Sequence, residues 1–265
     1  MAARSVRLSI EELAFAMGVL GGAETASGIL QAVLGQREKA ELDGRLYAAG
    51  HSLMARGLLT VDVPAQSKEL DSALGRMVEV MLASDFTLRY SRATHGQEEV
   101  LNHFFRQGRI VSERVIQDVV CELAALGSVD EAREEGRLFF GLPAGGRATG
   151  ATESAGIIAA DLLDQIRQET SKSSIGQLAQ RLQEAGLAAQ PARMVAEDLL
   201  VPEYHGAVLR VDNVSGNPVS ERGFLILKGQ RRFWLLELKQ QEPAVLEVWP
   251  GSGPRYRAAF ERLLR

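Results

Sequence analysis

Two stretches of the chain contain short alternating segments joined by tight turns, and this feature restricts the fold more than any other. In the first stretch, apolar and polar residues alternate from Phe86 to Ser91, and the turn Gln107-Gly108 separates strands predicted at 100–106 and 109–115. Four strands are predicted in the second stretch, at 207–211, 223–227, 233–238 and 244–248. Short connections join antiparallel neighbours, whereas parallel strands need long crossovers. The sequence therefore predicts an α+β fold with a central, mostly antiparallel sheet.

Helices are predicted on both sides of these stretches. The first begins at Ser9, which is suited to cap a helix that has Glu11 and Glu12 in its first turn, and it ends at Gly21-Gly22. The other predicted helices are 37–56, 69–83, 116–126, 154–169, 175–186, 192–200 and 255–264. Each group of strands is thus followed by a final helix.

The order of these elements is repeated along the chain. Residues 69–126 and 192–264 both run from a helix through a group of strands to a last helix, which predicts a quasi-two-fold internal repeat. The segment 141–150 (GLPAGGRATG) is rich in glycine and small residues and is predicted to be a mobile linker. It separates an N-terminal half, 1–140, from a C-terminal half, 151–265, as two domains or one interlocked domain.

The charge of the chain gives no reason to expect a nucleic-acid partner. The net charge is -4 and the isoelectric point is near 5.7, whereas proteins that bind nucleic acids usually carry a basic excess. Trp234 and Trp249 lie among Leu and Val in predicted strands, which favours core packing over base stacking. One alternative stays open, because the short helix before Gly21-Gly22 is compatible with a degenerate winged-helix segment that binds DNA.

The sequence also predicts a reducing, cytoplasmic location. A single cysteine, Cys121, excludes an intramolecular disulfide, and its apolar neighbours indicate a small buried residue in a helix and not a reactive thiol. No apolar signal segment follows the arginines near the N-terminus. No segment approaches the roughly 20 apolar residues of a membrane span, so membrane insertion is not expected.

Patterns that carry catalysis or hold a cofactor are missing from the sequence. The glycines of 141–150 do not form a phosphate-binding loop, and neither G-x-S-x-G nor S-x-x-K occurs. Asp161 and Asp164 share a helix face, as many solvated acids do. The histidines do not combine at the spacing of metal ligands; they are His51, His95, His103 and His205. We therefore expect no catalytic site, no cofactor and no bound metal.

Several local patterns follow the order found in one known family. The chain opens with Leu8-Ser9-Ile10-Glu11-Glu12-Leu13, continues with Arg56-Gly57-Leu58-Leu59, and then enters the strands of 86–115. Its C-terminal patterns are Arg222-Gly223-Phe224, Trp234, Val248-Trp249-Pro250 and Leu263-Leu264. Over nearly the whole chain, this order resembles the EspG-like family, the cytosolic chaperones of type VII (ESX) secretion. The resemblance implies an antiparallel sheet flanked by helical bundles and a surface that binds the tip of a helical secretion substrate.

The predicted function is therefore non-enzymatic binding of a partner protein, as a chaperone or adaptor for a secreted helical protein. The resemblance implies that the C-terminal helical bundle contributes to cargo recognition. We place the partner-binding surface at Ile157, Leu162, Leu163 and Ile166 and on the adjoining sheet. The alternative for these four residues is the inner face of a helical bundle. The alternative functions are a regulatory module that binds DNA, a structural protein, or an enzyme with a dispersed site.

Overall fold

The protein is described by a computed structural model at residues 5–94, 96–144, 153–169, 173–214, 217–239 and 243–265. The ten-stranded antiparallel sheet and the helices outside it confirm the predicted α+β fold. The strands are β1 (Ser5–Ser9), β2 (Leu59–Asp62), β3 (Ser67–Leu70), β4 (Phe86–Thr94), β5 (Gln97–Arg106), β6 (Arg109–Ile116), β7 (Val120–Leu126), β8 (Gly156–Ala159), β9 (Tyr204–Val214), β10 (Asn217–Lys228), β11 (Phe233–Lys239) and β12 (Val245–Pro250). The helices are α1 (Ile10–Val19), α2 (Ala23–Leu34), α3 (Lys39–Ala55), α4 (Ser72–Leu82), α5 (Val129–Phe139), α6 (Ala160–Glu169), α7 (Ile175–Glu184), α8 (Ala189–Leu200) and α9 (Gly253–Leu263).

Hydrogen-bonded neighbours in the large sheet follow the order β1-β7-β6-β5-β4-β9-β10-β11-β12-β8, and β2 pairs with β3 separately. The order contains two meanders of four consecutive strands, β4–β7 and β9–β12. A helix precedes each meander, α4 or α8, and another follows it, α5 or α9. The predicted repeat of elements is therefore present. In each repeat an earlier strand, β1 or β8, pairs with the last strand of the meander.

The helix predicted at 116–126 is wrong, because most of these residues form β7. This strand pairs with β6 on one side and with β1 on the other. Gln117 and Asp118 reverse the chain with φ angles of 51° and 61°, a backbone region that such residues rarely adopt. Leu, Ala and Glu in 122–126 favour a helix by themselves, but two strand partners override that preference. The helix that closes this repeat is α5.

Other predicted boundaries also change. Residues 156–159 of the helix predicted at 154–169 form β8, and α6 begins only at Ala160. The helix predicted at 69–83 begins at Ser72, where the Asp71 carboxylate accepts hydrogen bonds from the amides of Ala73 (3.0 Å) and Leu74 (3.2 Å). Residues 67–70 form β3 instead. Helix α2 has no counterpart among the predicted helices, because flanking and internal glycines obscure its period.

The chain divides into two compact units. The N-terminal unit comprises Met1–Thr87 and Leu101–Ala132, and the C-terminal unit comprises Leu88–Val100 and Arg133–Arg265. Residues 145–150 of the predicted linker lie outside the described residues, and the division into halves at 141–150 stays a prediction. Among the helices that the structure describes, none has both the length and the apolar character needed to cross a membrane.

In the N-terminal unit, α1 and α4 pack on β1, β6 and β7. The core side chains of these elements include Leu8, Leu13, Met17, Leu74, Val78, Val111 and Leu123. The predicted cap of α1 is confirmed as a reciprocal pair. The amide of Glu12 donates to Ser9 Oγ at 3.1 Å and the amide of Ser9 donates to Glu12 Oε2 at 2.9 Å, an arrangement that stabilises a helix by about 1 kcal/mol.

In the C-terminal unit, apolar side chains cover both faces of the sheet. On one face, Leu227, Trp234, Leu236, Leu246 and Val248 pack against α6, α7 and α8. On the other face, the ring of Phe224 lies 5.9 Å from that of Tyr256 in α9. Trp234 is buried, as predicted, whereas Trp249 is only half-buried, with the guanidinium of Arg255 3.4 Å above its ring centre. The strands of this unit are therefore held between two helical layers.

Candidate functional site

The first question about function is whether titratable side chains cluster in the part of the chain that the structure describes. No three His, Cys, Asp or Glu residues among them lie close enough to hold a metal ion. The Cys121 side chain is buried in β7, where Sγ donates to the carbonyl of Leu8 at 3.6 Å. Burial raises the pKa of the thiol to about 12, so Cys121 is protonated and a poor nucleophile at neutral pH. The burial predicted for this residue is confirmed, although in a strand.

The N-terminal unit has the element order of a winged helix, with α1 to α3 followed by the β2–β3 hairpin. The basic residues of α3 are, however, paired with acids. Lys39 Nζ lies 2.5 Å from Asp43 Oδ2, and Arg45 lies 3.0 Å from Glu41 and 3.1 Å from Glu11. Such pairs neutralise the helix that would contact phosphates. The DNA-binding alternative stays a hypothesis that this helix does not support.

The structure separates the four residues predicted to bind a partner. Leu163 and Ile166 of α6 are buried in the core that α6 shares with α7 and α8, and Leu162 packs at its margin. Ile157 lies on β8 opposite Glu247 and is 48% exposed. Because successive strand residues point to opposite faces, Ile157 lies on the sheet face away from Ile158 and the α6 core. Ile157 is the most exposed of the four, and a partner-binding role for the set stays a prediction.

Beside α6 and α8, a pocket of about 180 Å³ opens on the adjoining sheet. Strand register explains its floor, since Ala207 lies opposite Leu225, and Leu225 lies opposite Leu236, so that all three share one face. Leu163 of α6 and Leu199 of α8 form its helical wall. The rest of the lining consists of Ser91, Ala93, Glu98, His205, Gly206, Ile226 and Leu227. The side chains of β4 and β9 here are mostly small and leave the sheet uncovered.

The same face continues along the strands into two exposed leucines. Leu209 lies two residues beyond Ala207 in β9, and Leu238 lies two residues beyond Leu236 in β11; they are 36% and 40% exposed. Between them, Gly223 of β10 lies opposite Leu209, and a Cβ there would be 2.7 Å from Leu209 Cδ2. The glycine thus gives Leu209 room to lie over β10. We call Ser91, Ala93, Ala207, Leu209, Leu225 and Leu238 the open sheet face.

A buried ionic cluster fixes α8 on the sheet next to this face. Asp198 accepts hydrogen bonds from Trp234 Nε1 at 2.8 Å and from Arg232 Nε at 2.6 Å. Glu197 accepts a second bond from Arg232 at 2.5 Å. Burial by itself lowers the pKa of Arg232, but its bonds to Asp198 and Glu197 raise it overall. Gly229 is required at the turn, because a Cβ there would lie 2.0 Å from Asp198 Oδ1.

Comparison with known proteins relates this architecture to one solved chaperone. No known protein family matches the sequence, and no curated protein is similar to it in sequence. Among solved structures, a match covers 98% of this chain and 96% of the Mycobacterium tuberculosis type VII secretion system chaperone EspG5, in its complex with a PE25–PPE41 dimer. The TM-score is 0.64 and the sequence identity is 12%. This chain has the fold of EspG5. The fold implied by the family resemblance is thereby confirmed, whereas the identity is too low to transfer single residues from EspG5.

The prediction included the sheet adjoining α6 but named none of the residues of the open sheet face. Alternation along His205, Ala207 and Leu209 does indicate that these side chains share a face. It does not indicate that α6 and α8 leave that face uncovered, because this depends on how far each helix extends over the sheet. Tertiary packing, and not the alternation of side chains, therefore determines where the apolar surface of the sheet stays open.

Proposed function

We propose that the protein is a non-enzymatic cytoplasmic chaperone or adaptor, which holds a helical substrate of a type VII-like secretion system on the open sheet face. The observation that carries this proposal is the exposed apolar surface on a chain with the fold of EspG5, a chaperone seen with a bound protein dimer. No membrane-inserted segment, cofactor or catalytic group is required by this function.

The chemistry of the open sheet face suits a protein partner. Leu209 and Leu238 are fixed on strands, so little conformational entropy is lost when a partner covers them. Ala207 forms a low floor beside them, on which we expect apolar side chains of a helix to pack. Exposed Glu98 lies at the edge of the pocket and supplies a polar rim. An apolar centre with a polar rim is the usual composition of a protein interface.

The test introduces a charge on this face and at a matched position elsewhere. Leu209→Glu and Leu238→Glu put carboxylates where apolar contacts are expected, and Leu138→Glu changes an exposed leucine of α5 outside this face. Because an unpaired charge in an apolar interface costs more than about 1.4 kcal/mol, each of the first two changes should weaken partner binding at least about tenfold. The partner is first isolated from the native host with the tagged protein, identified by mass spectrometry and purified; its affinity is then measured by calorimetry.

The control variant Leu138→Glu should bind like the wild type, and circular dichroism should show that all three variants are folded. Equal affinity of folded Leu209→Glu and wild type would remove the open sheet face from the interface. Ile157→Glu tests whether the partner binds at β8 and not on the open sheet face, because Ile157 lies on the opposite face of the sheet. A partner that is not a helical secreted protein would overturn the assigned function itself.

A further inference from the structure

A large groove in the N-terminal unit has no role in the function proposed above. Helices α2 and α3 both pack on α1, and a cavity of about 680 Å³ opens between these helices and β3. Its apolar lining is formed by Ala14, Phe15, Gly18, Val19, Ala23, Ala26, Leu30, Leu42 and Leu46. The volume lies in the range of about 300–1,000 Å³ that is typical of small-molecule sites. The groove is therefore large enough for a ligand without rearrangement.

Small residues of α1 and α2 keep this groove empty of protein atoms. A Cβ at Gly18 would meet no atom within 4 Å, so the α1 wall has open space in front of it. Ala14, Ala23 and Ala26 likewise contribute no side chain beyond Cβ. The facing wall carries the longer side chains of Leu42 and Leu46, which are only half-buried. Half-buried leucines facing small residues leave apolar surface that an apolar chain can cover.

The polar lining of the groove contains more basic than acidic side chains. Arg37, Lys39 and Lys68 line it together with a single acid, Asp43, which is paired with Lys39 at 2.5 Å. Arg37 is anchored by a hydrogen bond from Nε to the carbonyl of Leu34 at 3.0 Å, with Glu41 3.9 Å away. Lys68 forms no ion pair among the described residues, and its ammonium lies 5.2 Å from the centre of the Phe15 ring. The lining of the groove thus includes one cation, Lys68, that no described carboxylate neutralises.

We propose that this groove binds a single-chain anionic amphiphile of the fatty-acid class. The hydrocarbon chain lies along Gly18 and between Ala26 and Leu46, and the carboxylate pairs with Lys68. One free cation next to an apolar channel matches a ligand with one anionic head and one tail. An amphipathic helix from a partner is the competing occupant. It is about 10–12 Å across and would need a wider set of rim contacts than this one cation supplies.

The experiment measures dodecanoate binding to the full chain by calorimetry, below the concentration at which dodecanoate forms micelles. Gly18→Leu fills the groove from α1, and Gly28→Leu is its control, because Gly28 also has free space around it but lies on α2 outside the lining. Both changes replace glycine by a better helix former, so neither should destabilise its helix. We expect saturable binding to wild type and Gly28→Leu, and loss of binding in Gly18→Leu.

The head group is tested separately with Lys68→Met and with dodecanol. Lys68→Met should weaken dodecanoate binding about tenfold, the effect of losing one charge-assisted hydrogen bond, and should leave dodecanol binding unchanged. Absence of dodecanoate binding to the wild type, or equal binding by Gly18→Leu and Gly28→Leu, would overturn the proposal. Equal binding of dodecanol and dodecanoate would overturn the anionic class. Gly18→Leu should still capture the helical partner, so failure of this inference is distinguishable from failure of the chaperone proposal.

Discussion

Each unit of the protein contains a buried helical acid that accepts hydrogen bonds from an arginine, and the two acids are held differently. In the N-terminal unit, Glu12 accepts from Arg56 at 2.9 Å and from Ser52 at 2.6 Å, in addition to the amide of Ser9. In the C-terminal unit, Asp198 accepts from Arg232 and from the indole of Trp234, but from no backbone group near it in sequence. Glu12 is therefore held partly by a local cap and partly by α3, whereas both bonds to Asp198 come from a hairpin more than 30 residues away.

This difference determines how much stability the protein should lose when each acid is removed. Removing Glu12 leaves groups that can reach water, because the Arg56 side chain is 40% exposed. Removing Asp198 leaves the N–H of a fully enclosed indole without its acceptor, and Arg232, which is more buried than Arg56, keeps Glu197 as its carboxylate partner. The unfolding of each unit can also be followed through a different residue. The only cysteine, Cys121, lies in the N-terminal unit, and both tryptophans lie in the C-terminal unit.

The largest effect is expected for Asp198→Ala. Because it leaves the buried Trp234 N–H without an acceptor and removes one of the two carboxylates paired with Arg232, it should lower the free energy of unfolding of the C-terminal unit by about 3 kcal/mol. Urea unfolding followed by tryptophan fluorescence measures this. Asp198→Asn keeps one acceptor oxygen and should cost less. A loss below about 1 kcal/mol for the alanine variant would show that α8 is held on the sheet by apolar packing alone.

A smaller effect is expected for Glu12→Ala. It removes the acceptor of the Ser9 amide and of the bonds from Ser52 and Arg56, while Ser9 Oγ still accepts from the amide of residue 12, and this should lower the unfolding free energy of the N-terminal unit by about 2 kcal/mol. The rate at which urea exposes Cys121 to a thiol reagent reports on this unit. Glu12→Gln is the control, since its amide oxygen can still accept from Ser9. A loss as large as that of Asp198→Ala would contradict the contrast between the two acids.

The smallest effect, about 1.4 kcal/mol over the first pH unit above 9, appears on alkaline titration. Because the folded pKa of Cys121 is raised to about 12 from an ordinary value of 9.0, its contribution is complete below pH 9 and is lost as the pH rises towards 12. In that interval the unfolded chain releases the thiol proton and the folded chain keeps it, which lowers stability by at most about 1.4 kcal/mol per pH unit. Circular dichroism during urea unfolding should show this decline in the wild type and a weaker one in Cys121→Ala.

In the C-terminal unit the same decline should begin only above the ordinary tyrosine value of 10.0, because burial raises the pKa values of Tyr204 and Tyr256. The free energy of unfolding measured by tryptophan fluorescence should therefore begin to fall at a higher pH than the Cys121-dependent part measured by circular dichroism. Simultaneous loss in both signals near pH 9 would show that the units unfold together and would remove the basis for assigning either effect to one unit.

The elements that the sequence predicts correctly are those specified by neighbours in the chain. The cap formed by Ser9 and Glu12 spans three residues, and Gln107-Gly108 marks its hairpin because Gly108 has a φ of 79°, which favours glycine. By contrast, Gln117 and Asp118 adopt positive φ angles although neither is glycine, so the sequence does not mark the turn before β7. The conformation of 120–126 then depends on β1, more than 100 residues earlier.

The candidate site is less predictable than the fold for the same reason. Apolar character at Ile157 and Ile166 is visible in the sequence, yet one is on an edge strand and the other in the core. Exposure of Leu209 and Leu238 results from where α6 and α8 end over the sheet, which no local pattern encodes. Sequence periodicity thus identifies the apolar faces, and tertiary packing determines which of them remain available.

The two edges of the large sheet are its shortest described strands, β1 with five residues and β8 with four. On β8 even this short edge is partly covered, since Gly156 bridges to Leu187 and the amide of Ala188 donates to the carbonyl of Ala155 at 3.0 Å. A long row of free amides and carbonyls would recruit strands from other chains and promote aggregation. The short edges, of which β8 is partly covered, therefore offer only a short row of backbone groups to which a strand of another chain could pair.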